Sequence, residues 1–241
     1  THPNVQLLVV DDASTDNSVT MIRECIEVYP RIKLFPLAEN VGNCRAFNTA
    51  LPHAEGEYII DLAADDILLP DGIAEGIKAL QDAGSDYGVN FSDAFWISEE
   101  GATLYKHSDR FPHARIPQGD IYRYLIERFF ICSPTMIFRT EVIRSLGGYD
   151  ETLAYEDFDF WIRSSRDWKY CYTPKVLVKK RVVKNSLSAK QFSFFSAQLD
   201  STLRICEKIL YLNRNADEQK ALSKRILYEM RMSLKLLRVP L

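Results

Sequence analysis

The sequence predicts an α/β domain: a mostly parallel sheet with helices on both faces, followed by a helical C-terminal extension. Three observations predict it. Short apolar, β-branched runs alternate with segments of helical period, the runs tend to end in carboxylates, and after Ser188 only helical period remains. Residues 6–10 form the first strand, DDASTDNS supplies turn and cap residues, and Val19, Ile22 and Ile26 recur at helical spacing. Residues 33–37 read as a second strand, 43–51 as a helix, 58–62 as a third strand and 73–83 as a helix. Residues 87–97 are a further strand closed by the turn SEEG. From 98 to 120 the period is lost and His107, Arg110, His113 and Arg115 appear, as in a loop facing a site or a plain surface segment. Helix returns at 121–130 and strand at 135–138. Thr140 then caps a short helix that Gly147 and Gly148 end, a helix spans 156–165, and strands follow around Tyr170 and 176–178. The expected parts are 1–97, 98–185 and 186–241. In the last, Phe192, Phe195, Leu199, Leu203, Cys206 and Leu210 make one stripe; Leu222, Ile226, Met230, Leu234 and Leu237 make another.

At 241 residues the chain can bury a sizeable core, and a net charge of −3 argues against a dedicated nucleic-acid binder. The five cysteines, Cys25, Cys44, Cys132, Cys171 and Cys206, show no CxxC spacing and are odd in number; they read as reduced core thiols of a cytoplasmic protein. No apolar stretch approaches the roughly 20 residues of a spanning helix, and no signal-peptide pattern opens the sequence. Thr-His-Pro-Asn-Val-Gln leads straight into a strand, so the chain is expected to begin inside a domain. Residues 220, 224, 225, 231, 235 and 238 are basic against Glu229 alone. Such a helix either lies on an anionic membrane surface, at the inner face, or packs on the domain or a second subunit with its basic residues in water.

Asp65 and Asp66 close the run EYIIDLAADD. Buried unpaired carboxylates are costly, so acids at a strand end emerge to meet a cation, Mg or Mn, which in turn binds substrate phosphates. A solvated loop whose acids cap the helix after Pro70 and Asp71 remains the alternative. Asp11 and Asp12 close the first strand in the same way. In a parallel sheet strand ends share one edge, so the two clusters converge on one crevice suited to a nucleotide. Glu156 and Asp157 begin a helix, whose N-terminus favours an ionised carboxylate able to take a proton.

VQLLVVDDASTDNS, AENVGNCRAFNTAL, GEYIIDLAADDILLPD and SPTMIFRTEVIRSLGGYDETLAYEDFDFWIR, in this order, closely resemble the inverting family-2 glycosyltransferases of the Rossmann-like GT-A fold, over about residues 4 to 185. The resemblance implies transfer of a sugar from a UDP- or dTDP-sugar to a hydroxyl of a glycan or lipid-linked acceptor. It makes 1–97 the nucleotide-sugar half, without its usual first strand, and 98–185 the acceptor and catalytic half. It implies that Asp12 reads the base, that Asp65 and Asp66 hold the ribose and the metal, that Asp157 is the catalytic base and that Glu156 orients the acceptor. Three features depart from the family pattern: Ala63 stands where the motif has its first acid, Val183 stands near the position of a frequent His, and the first strand with its turn is absent.

Arg45 is placed to reach the diphosphate from a loop–helix junction, with a solvated arginine as the plainer reading. Asp93, at a strand end, faces donor sugar or acceptor, or caps a turn. Asn40 and Gly42 shape a turn, and Trp96 and Trp161 are sugar-stacking or core residues. A phosphoacceptor receiver domain shares the acidic pair but leaves GGYDETLAYEDFDFWIR unused. A catalytically silent nucleotide-sugar-binding module on the same fold is the other alternative, favoured by Ala63.

Overall fold

The computed structural model describes residues 2–111, 115–183 and 197–237, with side chains to 234 in the last helix. The expectations for His113, Phe192, Phe195 and Arg238, and for the side chains of Lys235 and Leu237, lie outside these residues. Strands are β1 (Leu8–Asp11), β2 (Lys33–Pro36), β3 (Tyr58–Ile59), β4 (Ile67–Leu68), β5 (Tyr87–Ile97), β6 (Thr103–Lys106), β7 (Ile137–Arg139) and β8 (Lys169–Arg181). Helices are α1 (Ser18–Val28), α2 (Asn43–Ala50), α3 (Gly72–Ala83), α4 (Tyr122–Glu127), α5 (Thr140–Ser145), α6 (Asp157–Ser164), α7 (Ala197–Leu212) and α8 (Ala216–Leu237).

The α/β class and the helical extension hold. Strand directions are more mixed than alternation suggests. β1 and β2 pair in parallel, apart from a second sheet of order β3-β7-β5-β8-β4, with β6 on the end of β5. Within that sheet β5 and β8 are parallel, while β3–β7, β5–β7, β4–β8 and β5–β6 are antiparallel. Strands from before and after residue 97 thus interleave in one sheet. β5 is buried along most of its length because both faces are covered, and the polar Asn90, Ser92 and Asp93 are buried with its apolar residues. β8 is one strand where two were expected, because Pro174, Lys175 and Leu177 are absorbed by register shifts opposite Ser92, Asp93 and Ala94.

The main core gathers Val89 and Phe91 of β5, Tyr122, Leu125 and Ile126 of α4, Phe138 of β7, Phe158, Phe160 and Ile162 of α6, and Ile205 and Ile209 of α7. By contrast α1 buries no residue fully and exposes Met21 and Val28, and β1 pairs only with β2 among the described residues. Gly147 and Gly148 end the turn after α5 at φ +73° and +92°, a left-handed backbone suited to glycine. A Cβ on Gly148 would lie 2.5 Å from Asn48 Oδ1.

The C-terminal helices pack on faces that overlap the apolar stripes only in part, at Cys206 and Leu222. α7 buries Gln198, Ser201, Thr202, Ile205, Cys206 and Ile209, leaving Leu203 and Leu210 exposed. α8 buries Ala221, Leu222, Arg225 and Glu229, while Ile226, Met230 and Leu234 face outward. Arg225, counted among the solvated basic residues, is 3% exposed. Its Nε donates to the Ile126 carbonyl at 2.8 Å, Nη1 meets Glu229 at 3.1 Å, and its guanidinium lies 4.2 Å from the Phe129 ring centroid and 5.1 Å from that of Phe158. Lys224 pairs with Glu127. No helix among the described residues is long and apolar enough to cross a membrane.

Candidate active site

Asp12 follows β1, and both of its carboxylate oxygens accept backbone N–H groups ahead of α2: Val41 N at 2.7 Å and Gly42 N at 2.9 Å. Its carbonyl accepts the Asn40 side-chain amide. Asn40 and Gly42 therefore shape the turn as expected, Gly42 at φ +86°. Each carboxylate oxygen has a second lone pair, so Asp12 can still accept a hydrogen bond from a ligand. The first residue of α2, Asn43, donates to Glu156 Oε2 at 2.6 Å. Asp12 and Glu156 thus meet at one helix end.

Glu156 precedes α6 and Asp157 is its first residue. Burial and the neighbouring charges of Asp157 and Asp61 drive the Glu156 carboxyl well above the ordinary carboxylate range. Asp157 is also raised by burial, but Lys180, the Ser133 hydroxyl and the Glu156 carboxyl hold it back. A protonated Glu156 donating to an ionised Asp157 satisfies both, and the α6 N-terminus supports the charge.

Asp61 is an unpredicted member. It follows β3, accepts the Tyr149 hydroxyl at 3.0 Å, and burial pushes its carboxyl up to about 6. The sequence signal was an acid inside the apolar run, two residues before Ala63. The folded chain then holds a proton that the unfolded chain has released between the ordinary value of 3.8 and about 6, so this group's contribution to stability falls as pH rises through that window. Asp61→Asn keeps an acceptor for Tyr149. In urea unfolding it should exceed the parent by about 1–3 kcal/mol at pH 8, with the gap closing below pH 4. A gap that does not change with pH would show that Asp61 titrates normally.

Asp65 is exposed, and its carbonyl accepts Arg181 Nε at 3.0 Å. Asp66 Oδ1 accepts the Arg181 backbone N–H at 2.8 Å, and burial raises its carboxyl against the pull of Lys180 and Arg181. The Arg181 guanidinium also reaches the Ser98 and Glu99 carbonyls, tying the 65–66 turn to the end of β5. Among the described residues no three His, Cys, Asp or Glu side chains form a metal cage. One or two carboxylates are nevertheless what Mg or Mn takes from protein when substrate phosphates and water complete the shell. Asp65 and Asp66 fit that requirement.

Asp66 and Asp157 both lie within electrostatic reach of Lys180, Asp12 anchors the turn ahead of α2, and two other residues lie differently. Arg45 projects from α2 toward Glu151, 3.5 Å away, and stays exposed. Asp93 is 1% exposed; it accepts Ala94 N and Ser108 N and pairs with Lys106 at 2.9 Å, contacts that hold its carboxyl below the usual range despite burial. Trp161 is buried, its indole N–H donating to Met136 Sδ. Trp96 is half-buried and stacks on Tyr105 with centroids 5.3 Å apart.

The profile of "Glycosyl transferase family 2" matches residues 1–147. An uncharacterised glycosyltransferase of Haemophilus influenzae is 25% identical over 256 residues, covering 97% of this chain and 79% of that protein. The putative teichuronic acid biosynthesis glycosyltransferase TuaG of Bacillus subtilis is 25% identical over 193 residues, covering 79% and 73%. The fold resembles the mannosyltransferase PcManGT of Pyrobaculum calidifontis, solved with GDP-Man and Mn2+, with TM-score 0.68, 19% identity and coverage of 96% and 64%. It also resembles S. aureus TarS 1-349 with UDP-GlcNAc, with TM-score 0.70, 18% identity and coverage of 98% and 67%. The chain spans 59% of an uncharacterised glycosyltransferase from Methanocaldococcus jannaschii, 26% identical over 177 residues. With a profile match over more than half its length and four ordered motifs on the expected elements, this chain belongs to glycosyl transferase family 2.

Proposed function

We propose that the protein is an inverting glycosyltransferase moving a sugar from a UDP- or dTDP-sugar to a hydroxyl of a glycan or lipid-linked acceptor, with Mg or Mn at the donor diphosphate. One arrangement carries this reading: a Glu156–Asp157 pair at the start of α6 faces the same Lys180 ammonium as Asp66, so a proton acceptor and a diphosphate-binding acid border one space. Asp157 takes the proton of the acceptor hydroxyl as its oxygen attacks the anomeric carbon, and inversion follows from in-line displacement of the nucleoside diphosphate. Glu156 keeps its proton, stabilises the Asp157 carboxylate and orients the acceptor. Asp93 serves the acceptor side from beneath through Lys106 and Ser108. Asp12 receives the base N–H, Asp65 the ribose, and Arg45, released from Glu151, the phosphates. A divalent ion, when bound by Asp65 and Asp66, supplies positive charge to the diphosphate.

Exposed Ile226, Leu227, Met230 and Leu234 on α8 support a contact there, with the inner face of a membrane or with a second copy of the chain. The name of the relative TuaG, a putative teichuronic acid biosynthesis glycosyltransferase, supports a role in polysaccharide biosynthesis, which we place in the cytoplasm. Ala63 favours a second reading, a silent nucleotide-sugar binder, which would bind donor and release no nucleotide.

The test is thermal stabilisation by UDP-, dTDP- and GDP-sugars with and without Mn, followed by nucleotide release, because a ligand of the native state raises its stability by mass action. Asp66→Ala should abolish the Mn-dependent part of the stabilisation and leave the metal-free part. Unchanged affinity in Mn would remove Asp66 from the metal site.

A further inference from the structure

Several cations around the sheet and helices are paired with carboxylates. Lys106 pairs with Asp93, Lys175 with Glu75, Lys169 with Asp86, and Lys208 with both Asp150 and Asp159. Arg181 is spent on three carbonyls. Among the described residues Lys180 makes no ion pair within 4 Å, although it is half-buried. It stands in register with Trp96 across the parallel β5–β8 pairing, its Nζ 5.3 Å from the indole centroid. Successive side chains leave opposite faces of a strand, so it projects from the other face of β8 to its neighbours Lys179 and Arg181.

The carboxylates that feel its charge are Asp66 and Asp157. Asp66 is fixed beside it by the Arg181 N–H. A half-buried ammonium whose charge reaches two acids without pairing with either keeps its positive charge available to an anionic ligand. The crevice is short of protein-derived acid at Ala63, so two carboxylates are all this turn offers a metal ion. A fixed cation at the same place adds charge where the protein's share of a metal shell is small.

We propose that Lys180 binds the diphosphate of the sugar donor and is a catalytic residue for its departure. The inference deepens the glycosyl-transfer reading and rests on it. In the step, the bond between the anomeric carbon and the ester oxygen of the distal phosphate breaks and its electron pair stays on that oxygen. The new carbon–oxygen bond forms to the acceptor, and the acceptor's proton goes to Asp157. Lys180 keeps its own proton and neutralises the charge gathering on the terminal phosphate.

The experiment compares the full chain with Lys180→Met, which keeps a stem against Trp96, Lys180→Gln and Lys180→Arg. Each is titrated with UDP and UMP, or with the di- and monophosphate of whichever nucleoside stabilises the parent, and assayed for transfer. Removing the charge should weaken diphosphate binding about tenfold or more with monophosphate binding unchanged, and lower kcat about a hundredfold; Lys180→Arg should restore most of both. Undiminished diphosphate preference in folded Met or Gln variants would overturn the proposal, as would equal losses for mono- and diphosphate. If the parent binds diphosphate yet transfers no sugar, the glycosyl-transfer reading fails, and the binding comparison still decides the role of Lys180. A parent that binds neither nucleotide overturns both.

Discussion

Asp157→Asn should lower kcat for transfer by about a hundredfold to ten-thousandfold, the span usually contributed by a positioned general base. Nucleotide-diphosphate affinity should stay within about twofold, because the substitution keeps the shape of the side chain and its place at the start of α6. The amide still accepts from Ser133 and Glu156 but cannot take a proton. The pH profile carries a second check. Asp157 is raised above the ordinary carboxylate value, so the acid limb of kcat/KM should lie above 3.8, with activity rising as the base ionises. Transfer by the Asn variant at a near-parental rate would take Asp157 out of the chemistry.

Arg225→Ala should be the most damaging change away from the crevice. It strands Glu229 and the Ile126 carbonyl in the interior and removes a cation from the faces of Phe129 and Phe158. Breaking a buried pair by deleting one partner costs about 3–5 kcal/mol. For a chain of this size that corresponds to a fall in Tm of roughly 6–20 °C, measurable by calorimetry. Phe158 directly follows Asp157, so surviving folded protein should also show a lowered kcat with little change in donor KM. A Tm within a degree or two of the parent would mean that α8 is not braced by this arginine.

Much of the candidate site was legible because its acids sit where local signals are strong. Asp12 ends an apolar run, and Glu156 and Asp157 open a helix after two glycines with left-handed backbone. The extents of α2, α3 and β5 follow from period and caps alone. Strand direction did not, since β3, β4 and β7 are two or three residues long and their partners lie far away in sequence. Nor did the buried face of α8. Apolar stripes find faces that bury hydrocarbon, whereas here Arg225 and Glu229 are buried as a pair, outside any hydrophobic period. Lys180 and Asp61 were hidden for a related reason. Lysine and aspartate are usually solvated, and only three-dimensional neighbours show that one lacks a carboxylate and the other carries a phenol.

The short helix α2 has one end gripped twice, by Asp12 through Val41 and Gly42 and by Glu156 through Asn43. A donor that engages Asp12 would stiffen the support on which the acceptor-side acid rests, and an acceptor engaging Glu156 would return the same favour, since linkage is mutual. On the proposed assignment the two substrates therefore share a lever, and synergism between them is written into three consecutive residues.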